Sequence, residues 1–297
     1  MSLFSFLNKT GSKPPRVDLK KRFHFQATAG PGSMSKVWRA TERSTGQRFA
    51  VKILDKEKTA RFEERYQGSE KPSEAEITLQ LDHPNIVKAY EAGFTIDDEP
   101  FVIMELIEGV SLSYLIDLQN PRMKRQALSF MIQIGQALDY LHNQGFMHHD
   151  LCPRNIMVTD ENRIKLIDFG LAVPNTSEFQ KPGNRTGTAQ YMAPELIKRQ
   201  RIDHRIDLFA YALTCYEMVT RKLPWDAEDS YESVVKYINS PPNDIRVYAP
   251  KLDEELAETI MQGAAANPSD RFQSANEMVE KFAGIYRRLK AKKRSQS

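Results

Sequence analysis

The sequence predicts an α+β fold with two lobes, a small antiparallel sheet carrying one helix and a larger, mainly helical lobe. Short stretches with strand-like alternation occupy residues 23 to about 106. From about residue 107 the apolar residues instead recur at helical spacing. The chain has 297 residues, of which 40% are hydrophobic, and this composition suffices to bury a sizeable core.

The strand-rich part is predicted to contain five strands, over residues 23–27, 36–41, 48–54, 86–92 and 101–106. In the first of them, Phe23, Phe25 and Ala27 alternate with polar residues. One helix interrupts the strands over residues 74–81 and ends before Pro84, because proline does not continue a helix.

The later part is predicted to contain helices over residues 124–143, 207–220, 256–265 and 275–289. In the first, Met131, Ile134, Leu138 and Leu141 recur every three or four positions, which is typical of one buried helix face. The segment 207–220 is apolar nearly all round, which predicts a helix buried on every side.

Both ends of the chain are basic. Residues 1–22 are predicted to form a flexible basic extension and residues 287–297 a basic tail, with either solvated ends or a docking role as the alternatives. The net charge of +3 does not indicate a nucleic-acid binder. No apolar run is long enough to span a membrane, and the chain has only two cysteines. We therefore expect a cytoplasmic protein without a disulfide framework.

A glycine-bearing segment between the first two strands contains Gly30 and Gly32 and is followed by Val37. Glycines at such a position let backbone N–H groups approach phosphate oxygens, although for this segment taken alone an ordinary glycine-bearing hairpin turn is the more common explanation. Lys52 follows Ala50 on the third strand and could neutralise phosphate charge if an acidic residue held it in place. The candidate partners lie on the single helix, and they are Glu74 or, on another side of the helix, Glu76.

A loop motif and a metal-binding motif point to phosphoryl transfer. The sequence from His148 to Asn155 fits the pattern H-x-D-L-x-x-x-N, in which Asp150 can accept the proton of an attacking hydroxyl and Asn155 can hold a metal ion. Thirteen residues later, Asp168 begins an Asp-Phe-Gly motif whose carboxylate can chelate Mg²⁺. The two motifs in this order and at this spacing do not arise by chance.

Together these residues resemble the eukaryotic-type (Hanks-type) protein kinase family, in its serine/threonine branch, from about Phe23 to Tyr286. Residues 187–195 resemble the family's substrate-docking segment ending in Ala-Pro-Glu. The resemblance implies a bilobal protein-kinase-like fold with an N-lobe over 23–104 and a C-lobe over 105–286, and it implies an Asp207 that braces the catalytic loop. It also implies an ion pair between Glu195 and Arg271.

The activity that this resemblance implies is transfer of a phosphoryl group from Mg·ATP to serine or threonine of protein substrates. It makes Asp150, Lys52 and Glu74 catalytic, and it makes Asn155 and Asp168 the metal ligands. It places ATP between the lobes, against residues Gly30, Gly32, Val37, Ala50, Lys52, Met104, Glu105 and Met157.

The chain departs from the family's pattern at three positions. Ser35 stands for the third loop glycine, and His149 stands for an arginine that usually binds a phosphorylated activation loop. We therefore predict that phosphorylation at Thr176, Ser177 or Thr186 is not obligatory for activity. Cys152 stands where serine/threonine kinases carry a lysine that meets the transferring phosphate, and Arg154 is the predicted substitute.

Several alternatives remain open on the sequence. The departures at Ser35, His149 and Cys152 also suit a pseudokinase that binds nucleotide as a scaffold. A small-molecule kinase is disfavoured, because that class lacks the Ala-Pro-Glu segment. His148 is predicted to pack under Phe169 rather than to bind a metal, and Cys152 is predicted to be an unreactive side chain rather than a redox switch.

Overall fold

The computed structural model describes residues 16–31, 35–66, 71–183, 186–225 and 240–295. The chain divides into two compact units, residues 1–108 and residues 109–297. The sequence predicts a lobe boundary between residues 104 and 105, four positions before the division seen here.

The N-terminal unit is built on a six-stranded sheet in the order β1-β5-β6-β4-β3-β2. Its strands are β1 (Arg16–Val17), β2 (Phe23–Pro31), β3 (Ser35–Glu42), β4 (Arg48–Leu54), β5 (Ala89–Thr95) and β6 (Pro100–Glu105). All neighbouring strands are antiparallel except β1 and β5. The helices are α1 (Leu19–Arg22), α2 (Lys56–Glu63) and α3 (Glu74–Gln80).

Strand β5 begins three residues later than the sequence predicts. Ile86 and Val87 are buried, but they precede the strand, which starts at Ala89. An apolar run reports burial rather than strand geometry, and here it follows the turn around His83 and Pro84.

The N-terminal basic extension is partly structured. Its residues 16–22 form β1 and α1, although the sequence predicts a flexible segment there. Leu19 is buried in an apolar cluster with Phe23 and Val51, and Arg22 forms ion pairs with Glu42 and Glu91. The segment is thus attached to the sheet by the apolar side chains of Val17 and Leu19, by the pairing of β1 with β5 and by the ion pairs of Arg22.

The C-terminal unit is mainly helical. Its helices are α4 (Leu112–Asp117), α5 (Pro121–Asn143), α6 (Pro194–Ile197), α7 (Arg205–Thr220), α8 (Ile245–Tyr248), α9 (Glu254–Gly263) and α10 (Ala275–Ser295). Helix α7 is buried over most of its length, as its apolar circumference predicts. Helix α10 continues six residues beyond the predicted end at residue 289 and includes most of the predicted basic tail.

Short strands in this unit position the loops that carry the polar motifs. β7 (Gly109–Ser111), β9 (Ile156–Thr159) and β10 (Ile164–Leu166) form a three-stranded sheet in the order β10-β9-β7. β8 (Phe146–Met147) pairs with β11 (Val173–Pro174). Among the described residues, no helix combines the length and the apolar character that crossing a membrane requires.

Candidate active site

One face of the N-terminal sheet carries four of the eight residues predicted to contact a nucleotide. Val37 lies opposite Lys52 in the β3–β4 register, and Ala50 lies opposite Met104 in the β4–β6 register. Residues directly opposite each other, and residues two apart on one strand, share a face of a sheet. The four side chains therefore project from the same face, and Ala50, Lys52 and Met104 are buried.

The Lys52 ammonium forms a buried ion pair with the Glu74 carboxylate, and both side chains are less than a tenth exposed. The sequence favours Glu74 with Glu76 as the alternative, and the start of α3 explains why Glu74 is the partner. Ser73 caps the helix by accepting a hydrogen bond from the Glu76 N–H, and the Glu76 carboxylate accepts hydrogen bonds from the Ser73 N–H and Oγ. Glu76 is thus a capping residue, and Glu74 is the partner of Lys52.

The glycine-bearing segment is described only at its edges. Gly30 lies in β2 opposite Val37, within a stretch of irregular register. Gly32 lies outside the described residues. At the end of β6, the backbone N–H of Glu105 donates to the Lys88 carbonyl at 2.9 Å, and the Glu105 carboxylate accepts from the Lys88 N–H at 2.8 Å. These bonds fix the backbone that the resemblance assigns to adenine.

The Asp150 carboxylate is the centre of a hydrogen-bond cluster in the C-terminal unit. Its Oδ1 accepts from the Thr188 N–H at 2.7 Å and from the Thr188 hydroxyl at 2.8 Å. Its Oδ2 accepts from the Asn155 amide at 2.9 Å, and the same amide donates to the Asp150 carbonyl at 2.8 Å. The carboxylate is therefore fixed in orientation. Sequence reasoning gave Thr188 no role, because a contact across 38 residues is set by the tertiary fold.

Gly187 brings the Thr188 backbone up to this loop. A Cβ at Gly187 would lie 2.4 Å from the carbonyl oxygen of His149, and the φ of Gly187 is +120°. Only glycine allows this approach without strain, so the Thr188 N–H reaches Asp150 because residue 187 has no side chain.

Asn155 and Asp168 lie at the same end of the β9–β10 hairpin. Asn155 directly precedes β9, Asp168 follows β10 after one residue, and the Ile167 N–H donates to the Asn155 carbonyl at 3.1 Å. The amide nitrogen of Asn155 is used by Asp150, which leaves its amide oxygen for another partner. Met157 lies in β9, half-buried, opposite Lys165.

These donors suit a magnesium ion better than a metal held by protein alone. Mg²⁺ binds through one or two protein oxygens together with substrate phosphates, and Asp168 and Asn155 offer one carboxylate and one amide oxygen. Among the described residues, no group of three or more His, Cys, Asp or Glu side chains could hold a metal ion. The residues present thus fit a metal that enters with a phosphorylated ligand.

Asp207 supports the loop that carries Asp150. Its buried carboxylate accepts hydrogen bonds from the backbone N–H groups of His148 and His149 at 2.7 and 2.9 Å, and His142 Nε2 contacts it at 2.9 Å. Burial alone would raise the pKa of Asp207, but the His142 hydrogen bond and the surrounding imidazoles lower it to about 2. The bracing role expected of Asp207 is confirmed as a contact.

His149 adopts the left-handed backbone conformation, with φ of +65°, and its side chain is buried. Its Nδ1 lies 3.5 Å from the hydroxyl of Thr186, which is itself buried. Thr176 and Ser177 are exposed, so of the three residues considered for phosphorylation only these two are accessible in this conformation. His148 packs against Phe169 with ring centroids 5.3 Å apart, as the sequence predicts.

Cys152 and Arg154 have opposite environments. Cys152 is 1% exposed, and its Sγ lies 3.8 Å from the Thr188 hydroxyl. Burial, and secondly the charge of Asp150, raise the pKa of the Cys152 thiol. Arg154 is exposed on the 3₁₀ turn Pro153–Asn155. A cation is therefore present in this loop, although not at the position of Cys152.

Two further pairs of polar side chains lie in the C-terminal unit, and the sequence predicts only one of them. Arg271 forms a buried bidentate ion pair with Glu195 at 2.7 and 2.8 Å, as the resemblance implies. The unforeseen pair joins the Tyr191 hydroxyl to the Glu217 carboxylate. Burial raises the pKa of both side chains.

Comparison with known proteins agrees with this geometry. A probable serine/threonine-protein kinase of Corynebacterium efficiens is 31% identical over 270 residues, which cover 87% of this chain and 40% of the relative. The probable serine/threonine-protein kinase PknB of Corynebacterium glutamicum is 30% identical, over 90% of this chain and 42% of the relative. The serine/threonine-protein kinase PknA of Mycobacterium tuberculosis is 29% identical, over 91% of this chain and 62% of the relative. The chain thus spans about two fifths of the first two relatives. The family model of the protein kinase domain matches residues 23–282, and the chain belongs to that family.

Proposed function

We propose that this chain is a serine/threonine protein kinase that transfers the γ-phosphoryl group of Mg·ATP to hydroxyl groups of protein substrates. One observation carries the proposal. The Asp150 carboxylate is oriented by Thr188 and Asn155, and Asn155 lies beside Asp168 at the end of one hairpin. A scaffold that only binds a partner has no need for an oriented carboxylate next to two oxygen ligands.

Asp150 would orient the substrate hydroxyl and accept its proton, since a carboxylate fixed by three side-chain and backbone donors needs little reorganisation. Asp168 and the Asn155 amide oxygen would hold Mg²⁺, which supplies neutralisation of phosphate charge when bound. Lys52 would position the non-transferred phosphates. Its ion pair with Glu74 keeps the ammonium directed along one face of the sheet.

The nucleotide would contact the face of the N-terminal sheet that carries Val37, Ala50 and Met104, where small and apolar side chains suit an adenine ring. The same proposal includes Gly30, Gly32, Glu105 and Met157. ATP and a divalent metal are used generally by the family to which the chain belongs.

Arg154 would supply the positive charge that Cys152 does not. Arg154 follows Asp150 by four residues, and its side chain is exposed, whereas that of Cys152 is buried. Arginine binds phosphate through several N–H donors and stays protonated at any working pH. If Arg154 has this role, its removal should lower the rate by about 10²–10³, the usual cost of losing one electrostatic donor.

The buried neutral Cys152 is the observation that favours the second candidate, a pseudokinase that binds nucleotide without useful turnover. The test measures transfer from labelled Mg·ATP to a generic protein substrate, with nucleotide binding recorded in parallel. We expect turnover in the wild type, loss of turnover in Asp150→Asn and Asp168→Ala, and unchanged turnover in the exposed control Asp160→Asn. Binding without turnover in the wild type would show that the pseudokinase is correct.

We also propose a cytoplasmic location and protein substrates that carry the accepting serine or threonine. The location is supported by the two cysteines, Cys152 and Cys215, which are both free and buried and therefore suit a reducing compartment. The basic ends could add docking contacts to such substrates or partners.

A further inference from the structure

A cavity lies within the N-terminal unit, among residues other than those of the candidate active site. Its volume is about 330 Å³, and its floor is formed by Phe25, Trp38 and Ile53. Ile96, which is 56% exposed, also lines the cavity, together with the acidic residues Asp18, Asp97 and Glu99 and the basic Lys20. We call this cavity the outer pocket.

The outer pocket opens on the face of the sheet opposite to Lys52. Trp38 lies opposite Val51 in the β3–β4 register, and both alternate with Val37 and Lys52 along their strands. Side chains of successive strand residues point to opposite faces. A ligand in the outer pocket would therefore leave the Lys52 face of the sheet uncovered.

This face of the sheet is only partly covered by the described chain. Leu19 and Phe23 pack on Val51 and form a buried cluster, and Phe25 and Ile53 extend that cluster but remain partly exposed. The rings of Phe25 and Trp38 contact each other edge to face, with centroids 5.9 Å apart. An apolar cavity that continues a buried core marks a place where another segment packs.

The N-terminal end of the described chain lies beside this cavity. Arg16 in β1 is fixed by an ion pair with Asp98, in the turn that carries Asp97 and Glu99, and Asp18 lines the cavity itself. The fifteen residues before Arg16 lie outside the described residues. They contain the sequence Ser-Leu-Phe-Ser-Phe-Leu at residues 2–7, followed by Lys9 and Lys13.

Reach, chemistry and charge all suit this segment. Eight residues separate Leu7 from Arg16, and eight residues can span up to about 26 Å. Phe4 and Phe6 would bury aromatic area against Phe25 and Trp38, and such burial is a main source of docking energy. The lysines that follow would lie near a pocket lined by three acidic residues and one lysine, and this excess negative charge adds favourable but salt-sensitive attraction.

We propose that residues 3–7 of this chain dock in the outer pocket of the same molecule, with Phe4 and Phe6 as the apolar anchors. The interaction adds a contact to the sheet on the side opposite Lys52 and does not depend on phosphoryl transfer. A second copy of the chain, or a foreign peptide with aromatic anchors and lysines, would be a different occupant of the same pocket.

The test uses the fluorescence of Trp38 in the full chain. The chain has two tryptophans, so Trp225→Phe leaves Trp38 as the single reporter. In this background we expect Phe4→Ser/Phe6→Ser to shift the Trp38 emission to the red and to increase its quenching by acrylamide, because the cavity then admits water. The matched control Ser2→Ala/Ser5→Ala should change neither quantity.

Two results would overturn the proposal. Identical emission and quenching in the Phe4→Ser/Phe6→Ser variant and the control would show that residues 3–7 do not occupy the pocket. A difference that disappears on dilution, together with a dimer in sedimentation, would show that the occupant comes from a second copy. A difference independent of protein concentration, in a monomer, supports docking within one molecule.

Discussion

Removing the Arg271 guanidinium should destabilise the C-terminal unit severely. Both partners of the ion pair are buried, with Arg271 2% and Glu195 4% exposed. The guanidinium also donates to the carbonyl groups of Ala265, Arg205 and Ala266, at 2.7, 3.0 and 3.0 Å. The change Arg271→Met fills similar space but leaves a buried carboxylate without a cation and three carbonyl groups without their donor.

The size of the effect follows from these contacts. Removing one partner of a buried pair costs about 3–5 kcal/mol, mostly because the remaining charge stays buried. The carbonyl groups add to this, since an unsatisfied buried acceptor costs about 1–3 kcal/mol where water cannot reach it. For a unit of this size, each kcal/mol lowers the melting temperature by about 2–4 °C, so the expected drop is on the order of 10 °C or more.

Differential scanning calorimetry of the full chain gives the measurement. The control is Arg246→Met, because Arg246 also pairs with a carboxylate, that of Asp244, but both side chains are about 40% exposed. We expect the control to melt close to the wild type. The double variant Glu195→Gln/Arg271→Met should be more stable than Arg271→Met alone, because the buried charge is gone.

Equal melting temperatures for Arg271→Met and Arg246→Met would refute the reasoning. With Glu195→Gln measured as the second single variant, a double variant whose loss of unfolding free energy equals the sum of the losses of Arg271→Met and Glu195→Gln would refute it too, because the two side chains would then be energetically independent.

Three further predictions concern packing, pH and regulation. Gly135→Ala should destabilise the fold by about 1–3 kcal/mol, because a Cβ there would lie 2.5 Å from Val279 and 2.6 Å from the Tyr211 hydroxyl. The control Gly284→Ala should be neutral or stabilising, because a Cβ at residue 284 meets no atom within 4 Å. Urea unfolding measures the stability of both variants. The pKa of Asp207 is lowered from 3.8 to about 2 in the folded chain, so its stabilisation should be complete above pH 4 and lost as the pH falls toward 2. The stability difference between wild type and Asp207→Asn should accordingly shrink on acidification. Turnover should persist when the three predicted phosphorylation sites, Thr176, Ser177 and Thr186, are all replaced by alanine. An alanine variant that is inactive, and whose activity returns when the sites carry acidic residues instead, would contradict this prediction.

Much of the candidate site could be predicted because local motifs have fixed spacing. Asp150, Asn155 and Asp168 were identified from their order along the chain, and β9 and β10 bring the last two together because a short hairpin joins them. The preference for Glu74 over Glu76 has a local basis in the sequence as well. Ser73 followed by Glu76 is the Ser-x-x-Glu pattern of a capping box, which already assigns Glu76 to the helix start.

Other features depend on contacts that no local pattern encodes. The Thr188–Asp150 and Tyr191–Glu217 hydrogen bonds join residues 38 and 26 positions apart. The attachment of residues 16–22 was missed for a different reason. The segment is mostly charged, and the two side chains that anchor it, Val17 and Leu19, are too few to produce a periodic pattern.

The environment of Cys152 keeps the thiol from adding a negative charge to the loop. A thiolate beside Asp150 would add negative charge where phosphate must approach. The burial of Cys152 and the charge of Asp150 both raise the pKa of the thiol, so the side chain stays neutral at physiological pH. Residue 152 is therefore neutral rather than anionic, where the family's pattern has a cationic lysine. We therefore expect the missing positive charge to be the cost to the chemistry, and we propose the exposed guanidinium of Arg154, two residues on, as its replacement.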